Sequence, residues 1–378
     1  ACAPAADTTQ TAIPSTSETP APATATSQPP TPTMTSTPSY PAEGMGPTNW
    51  PAGVNPLTGL EVADPNLLLR RPIIIKVENL PRADRPQWGL SLADIVYEYY
   101  TEQGSTRFAA VFYGNDSTMV GPVRSGRFFD VNVVQMYKGI FIFGSAWEAV
   151  FSRFLNSDFY NRLVIESQNS YPALSRYTGS NQNFLIADTT QMSVPIANLG
   201  IDNSQQNLDN MFFQMTIPEG GQTATSVHVR YSGAIYNRWD FNSETNSYLR
   251  FVDTVDDTSG NGSGEVYGPL VDRSTNAQIE MENVVILMVP HQFLVQDGES
   301  EVVDMNFIGT GTAYVLRDGQ IYQVTWQRNA SDQIVALYSI DGQIFPLHPG
   351  TTWYEVIGAS STFAQEDAST YRFVHVTP

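Results

Sequence analysis

Ala93-Asp-Ile-Val-Tyr-Glu-Tyr-Tyr-Thr-Glu-Gln-Gly-Ser-Thr-Arg-Phe-Ala-Ala-Val-Phe-Tyr113 reads as two strands joined by a short turn. Residues 93–100 alternate, residues 106–113 are aromatic and apolar, and Gln103-Gly104-Ser105 suits a hairpin link. Upstream, Ile73-Ile-Ile-Lys-Val77 is a strand by its β-branched content. Downstream, Phe128, Val131, Val134 and Tyr137 recur at helical spacing, Ile140 to Phe143 reads as a buried strand, and Trp147 to Leu155 as a short helix. Strands and helices thus alternate over residues 70–160, the pattern of an α/β or α+β layered fold.

The second half changes character. Val227–Tyr231, Ala234–Phe241, Asn283–Val289, Val302–Phe307, Gly311–Leu316, Ile321–Arg328 and Trp353–Ile357 read as strands. Asp318-Gly319 and Asp341-Gly342 mark tight turns, because these residues tolerate positive φ. This is a β-meander with few helices.

Residues 3–48 are rich in Thr, Pro, Ser and Ala, a composition that cannot bury enough surface to offset its ordering entropy. Such a stalk, extended by its prolines at ~3.1 Å per residue, would reach on the order of 100 Å. Ala1-Cys2 ahead of it reads as the remnant of a bacterial lipobox, with Cys2 as the lipidation site, and Ser and Thr beside Pro suit O-glycosylation. The expected division is residues 1–48 anchor and stalk, 49–220 an N-terminal α/β domain, 221–360 a C-terminal β-rich domain and 361–378 a tail.

The formal charge of the 378-residue chain is −19. Lys76 and Lys138 are its lysines, and the rest of the 19 basic residues are arginines without a dense cluster, so neither nucleic acid nor anionic lipid is an expected partner. Apolar residues make up 41% of the chain, enough for real cores, yet no run approaches the ~18 apolar residues of a spanning helix. One cysteine excludes an intrachain disulfide and suits an oxidising compartment.

Residues 55 to about 358 resemble the YerB-like family of bacterial lipoproteins. The matching stretches are Asn55-Pro-Leu-Thr-Gly59, Arg85-Pro-Gln-Trp-Gly-Leu-Ser91, Ala93–Glu98, Thr106-Arg-Phe108 and Gly121-Pro-Val-Arg-Ser-Gly-Arg127. In the second half they are Asn283–Ile286, Gly309-Thr-Gly311, Asp318-Gly319, Trp326 and Pro349-Gly-Thr-Thr-Trp353. The resemblance implies an α+β fold, with an N-terminal layered α/β sandwich and a C-terminal β-rich meander part, and anchoring through Cys2. It implies no reaction. Relatives often carry a basic or His residue near Asn183, and here Ser180-Asn-Gln-Asn183 has none.

The residues that could carry chemistry gather around the first hairpin and the Gly-Pro loop. Arg85, Glu98, Arg107, Arg124, Ser125 and Arg127 form the candidate ligand-binding set. A loop entering a helix N-terminus, flanked by guanidiniums, would suit a carboxylate or phosphate. The alternative is that Arg124 and Arg127 pair with Asp94, Glu98 or Asp130 and fix the loop. Glu98 and Glu102 would serve glycoside chemistry if ~5–9 Å apart across a cleft. Ser125 lacks a nucleophile-elbow context, His228, His291, His348 and His375 lack metal spacing, and no HExxH occurs, so no catalytic residue, metal or cofactor is assigned. Asp257-Thr-Ser-Gly-Asn-Gly-Ser-Gly-Glu265 hints at a calcium loop, but Gly268 stands where the bidentate Glu belongs, so an exposed loop is expected. Trp239, Trp326 and Trp353 are expected in the core, and Trp50 and Trp88 on a ligand surface.

The leading expectation is an extracytoplasmic, lipid-anchored, non-catalytic module that binds a cell-envelope partner, either peptidoglycan or another wall polymer or an envelope protein. The competing one is an envelope hydrolase or transferase with a Glu/Arg-lined cleft. A solute-binding transport lipoprotein ranks last, because no bilobal repeat is visible.

Overall fold

The N-terminal half supplies β1 (Ile73–Glu78), β2 (Ile95–Tyr100), β3 (Thr106–Phe112), helix α1 (Asp130–Tyr137), β4 (Ile140–Ile142), helix α2 (Glu148–Leu155), β5 (Leu163–Val164), the pair β6 (Leu174–Tyr177) and β7 (Phe184–Ala187), and helix α3 (Ser193–Leu199). This computed structural model describes residue 1 and residues 40–177, 179, 183–297 and 300–377. Cys2, the stalk to residue 39 and residues 180–182 lie outside the described residues. The hairpin read at residues 93–113 forms as β2 and β3, in the register Ile95 opposite Val111.

The second half supplies β8 (Gln222–Thr223), β9 (Ser226–Arg230), β10 (Tyr236–Asn242), β11 (Ser247–Asp253), β12 (Tyr267–Pro269), β13 (Glu280–Met281), β14 (Asn283–Val289), β15 (His291–Gln296), β16 (Glu301–Met305), β17 (Gly309–Arg317), β18 (Gln320–Arg328), β19 (Ala336–Tyr338), β20 (Thr352–Gly358), β21 (Thr362–Gln365) and β22 (Thr370–Val374). The Asp-Gly turn between β17 and β18 has φ of 53° at Asp318 and 71° at Gly319, the pair of positive values that a two-residue hairpin with the right twist requires.

The two halves share one sheet of eleven strands, ordered β19-β18-β17-β14-β20-β2-β3-β1-β4-β5 with β8 beside β18. The joint is β20, which runs parallel to β14 on one side and to β2 on the other. The expected division near residue 220 is therefore crossed by hydrogen-bonded strands, and residues 40–378 make one compact unit. A second sheet, β12-β11-β10-β9-β22-β21 with β13 beside β11, covers one face of the first. Helices α1 and α2 cover the other. Tyr97 and Tyr99 of β2 point to the helical side, against Phe129 and Tyr137, while Glu98 points between the sheets to Arg250. Every residue of β2 is buried because both of its faces are covered.

Trp239, Trp326 and Trp353 are buried as expected, and Trp239 and Trp353 meet edge to face at 5.4 Å between the sheets. Two expectations about the ends are corrected. Residues 361–377 hold β21 and β22, and β22 pairs with β9. Residues 40–48 are not all stalk: Met45 bridges to Phe213, and the Tyr40 hydroxyl donates to the Phe213 carbonyl. Tyr and Met give this stretch the apolar area that the Thr/Pro/Ser run lacks.

The chain between β14 and β17 leaves the main sheet as the hairpin β15–β16, a separate two-stranded sheet. Its base is closed by Asn306 N–H donating to the Pro290 carbonyl at 2.9 Å. Its flank is tied to the N-terminal half by Arg153 to Asp304 at 2.6 Å and by the Tyr100 hydroxyl to Glu301 at 2.5 Å.

Candidate functional site

The expected cluster divides into three places. Arg107, Ser125 and Arg127 come together at one end of the sheet. Arg107 donates to the Ser125 carbonyl at 2.8 Å, and both Arg107 and Arg127 pair with Glu102. Arg124 turns the other way, to Glu78 and Asp84. Its recess of about 250 Å³ also holds Arg176 and Asn183, and Arg176 is itself paired with Glu166. The acids that hold the Arg124 and Arg127 guanidiniums are thus Glu78, Asp84 and Glu102; of the acids expected there, Asp130 holds Arg127 through its backbone N–H, and Asp94 and Glu98 hold neither.

Arg85 and Glu98 bind the protein rather than face a ligand. Arg85 reaches Asp253 of β11 at 2.9 Å and the Asn79 carbonyl at 2.8 Å. Glu98 is fully buried with Arg250, Thr106 (2.6 Å) and Asn79 (3.1 Å) around it. Arg250 also holds Glu355 at 2.9 Å, and Trp239, Tyr231 and Asn237 donate to that carboxylate. One guanidinium serves two carboxylates, stacked over Trp353 at 4.2 Å. Burial raises the Glu98 carboxyl above its usual range, with Arg250 opposing and Glu355 reinforcing the shift. Glu98 and Glu102 therefore do not flank a common cleft.

The anion site expected at the start of α1 is filled from within. Asp130 is buried, accepts the Arg127 N–H at 2.6 Å and the Tyr99 hydroxyl, and lies 3.4 Å from the Lys76 amine. The terminus that could have held a ligand carboxylate already holds its own. Burial lowers the Lys76 amine to about 7, Asp130 opposing and Arg107 and Arg127 adding.

What remains open is a cleft of about 640 Å³, a size suited to a small or extended ligand, between this end of the sheet and the β15–β16 hairpin. One wall carries Glu102, Ser125, Arg127 and Trp147, and the other Val295, Ser300, Glu301 and Val303. A bridge between Gly126 and Ala146 and a 2.8 Å contact between the Ser125 and Ser145 hydroxyls set the first wall. Trp147 stands at the N-terminus of α2 with 51% of its surface exposed. Glu102 is held below the usual carboxylate range: burial raises it, but Arg127 and then Arg107 overcome that. A general acid would need the opposite shift.

Trp147 is the aromatic that sequence reasoning missed. Trp88, expected on a ligand surface, is buried against Tyr177 and Phe184 with Arg273 over its ring at 4.0 Å. Trp50 packs on Phe213 at 6.1 Å. The Asp257 carboxylate is spent on the Ser259 and Gly262 N–H groups and Arg230, so the Gly/Ser loop is self-bonded. Among the described residues no group of three or more His, Cys, Asp or Glu side chains could hold a metal ion.

Residues 57–201 match the N-terminal domain, and residues 227–354 the C-terminal domain, of a protein family of unknown function, DUF3048. Over 314 residues the chain is 28% identical to the Bacillus subtilis (strain 168) protein named "Putative lipoprotein YerB", covering 80% of this chain and 85% of that one. The chain belongs to the YerB-like family of bacterial lipoproteins. The crystal structure of YerB protein from Bacillus subtilis superposes with a TM-score of 0.65 at 24% identity, over 80% of this chain and 96% of that one. The YerB-like fold thus spans both sheets. The cleft lies between segments of its two family domains, since Glu102, Arg127 and Trp147 fall in the first and the β15–β16 hairpin in the second.

Proposed function

We propose that this YerB-like protein is held on the extracytoplasmic face of the membrane by a lipid on Cys2 and binds a cell-envelope glycan in the cleft beside Trp147, without chemistry. The observation that carries this reading is the composition of the cleft. A half-exposed indole offers an apolar face for a sugar ring, and Ser125, Ser145, Thr101 and Ser300 add hydroxyl-bearing side chains beside it. Glu102 is shared by Arg127 and Arg107, so these side chains stand in the wall as fixed hydrogen-bonding groups. The hydrolase reading loses its carboxylate pair, because Glu98 is buried with Arg250. An envelope protein remains the other class of partner.

The test is co-sedimentation of the full chain, with Cys2→Ser to keep it soluble, with purified peptidoglycan. Beside it run Trp147→Ala and the triple change of Arg107, Arg124 and Arg127 to Ala, with circular dichroism to confirm folding. The expected result is pelleting by the parent, loss with Trp147→Ala, and no release of reducing sugar. Pelleting unchanged by Trp147→Ala would remove the cleft from the proposal, and no pelleting would remove the polymer.

A further inference from the structure

His291, near the middle of the second half, and His375, near its end, meet in the protein interior. Their rings lie 5.1 Å apart at 61°, and each is at most 9% exposed. His291 is the first residue of β15, at the root of the hairpin that walls the cleft. His375 follows β22, where its N–H donates to the Arg230 carbonyl. The outer hydrogen bonds fix the tautomers. His375 Nδ1 accepts the Gly358 N–H at 3.0 Å, so its proton sits on Nε2. His291 Nδ1 lies 2.7 Å from the Val289 carbonyl, which only a protonated Nδ1 can bond, so its Nε2 is bare. Both Nε2 atoms are buried without a hydrogen-bond partner. One is a donor and the other an acceptor, which suits a neutral pair. It does not suit a metal ion, since His375 would have to give up its bond to Gly358.

Among the described residues the surroundings offer no counter-ion. The ring of Tyr100 from β2 stacks on His375 at 4.9 Å, and Tyr231 from the end of β9 lies 5.7 Å away. Glu301 of β16 reaches this corner only through the Tyr100 hydroxyl, and Glu355 of β20 only through the Tyr231 hydroxyl. Among the described residues no carboxylate bonds either imidazole.

We propose that the His291–His375 pair is an acid-sensitive latch that holds the β15–β16 hairpin closed over the cleft while both rings are neutral and releases it when either is protonated. A proton added to either ring would place an unpaired charge among aromatic side chains, and moving the hairpin root outward would hydrate it. Burial holds His291 down to about 4 and His375 to about 3, the latter helped by His291. The closed state binds fewer protons than the open one. Closure is thus fully favoured above the ordinary histidine value near 6.5 and is lost as pH falls from there toward about 4.

Release of the hairpin stands on its own, whereas an effect on ligand rests on the glycan reading above. Amide hydrogen exchange, corrected for the intrinsic pH trend, would be followed at pH 7 and pH 5. The subjects are the full chain and the double variant His291→Asn, His375→Asn, which keeps both outer hydrogen bonds and cannot titrate. The expected result is opening of residues 291–296 and 301–305 increased about tenfold or more at pH 5 in the parent, flat in the variant, with β1 protected in both. The single Asn variants, each with part of the slope, carry the same test if the double variant does not fold. An equal pH dependence in parent and variant, or none in the parent, would overturn the latch. Pelleting with peptidoglycan at both pH values is the separate arm: no pelleting at either removes the glycan reading and leaves the exchange result intact.

Discussion

Replacing Arg250 tests whether the two halves are joined by a buried charge. The guanidinium is wholly buried and is the shared partner of Glu98 on β2 and Glu355 on β20. Arg250→Met keeps an apolar stem of similar length but removes the guanidinium that stacks on Trp353 and Trp239 and strands two carboxylates. Removing one partner of a buried ion pair typically costs about 3–5 kcal/mol, and here two acids would lose it. Glu98→Gln is the control: it leaves one guanidinium facing one carboxylate, and about 1 kcal/mol or less is expected. Urea unfolding would compare the three chains at pH 7 and pH 5. The sign follows from Glu98, whose folded-state carboxyl is already raised by burial and would rise further without Arg250. A carboxyl raised above its unfolded value near 4.5 penalises the folded state at high pH, and the penalty fades as pH falls through the raised value. Arg250→Met should therefore lose less stability at pH 5 than at pH 7. A loss under about 1 kcal/mol at pH 7, or an equal loss at both, would refute the stranded-charge argument.

Two other expectations follow from the same core. Because β20 is hydrogen-bonded to both β14 and β2, residues 40–220 and 221–378 expressed separately should each fail to show a cooperative melt, while the whole chain shows one transition by calorimetry. A sharp melt from either piece would contradict the shared sheet. Burial also lifts the Glu78 carboxyl to about 7, against the pull of Arg124. Glu78 thus weakens the fold above that pH, an effect that vanishes as pH falls to about 4.5, so Glu78→Gln should be the more stable chain at pH 8 by up to about 3 kcal/mol and equal to the parent near pH 4.5. Denaturant midpoints at the two pH values decide it.

Local pattern revealed the elements better than their neighbours. The alternation of residues 93–100 identified β2, yet alternation is also what one solvent-facing side produces, and Glu98 read as a ligand-facing acid. Its burial follows from a second sheet whose Arg250 lies far away in sequence. Likewise Ile95 is level with Thr352 in a parallel ladder, a pairing that no turn residue announces because parallel strands are joined over long distances. Arg107 and Arg127 come together because Glu102, in the turn ahead of Arg107, pairs with both, a neighbour that local sequence offers. The partner of Arg85 is Asp253 in the other half, which local sequence does not announce. Trp88 sat in loop-like sequence and Trp147 at a helix start, but exposure is decided by what else covers a ring. Tyr177, Phe184 and Arg273 cover Trp88, all through tertiary contacts that spacing does not encode.

The same argument explains why the cleft sits where it does. A ligand between Trp147 and Val303 touches both family domains, and its far wall is a two-stranded arm that belongs to neither large sheet. Sheet strands cannot move singly without breaking a ladder, whereas a two-stranded arm fixed at its root and at Tyr100–Glu301 and Arg153–Asp304 can. The rigid wall supplies position and the arm supplies adjustment. A fragment limited to the first family domain would keep Trp147, Glu102 and Arg127 and still lack the opposite wall. Since such a fragment also loses β20 and is not expected to fold alone, weak binding by it would say nothing against Trp147, while full-strength binding would contradict both the shared sheet and a part for the hairpin in holding the ligand.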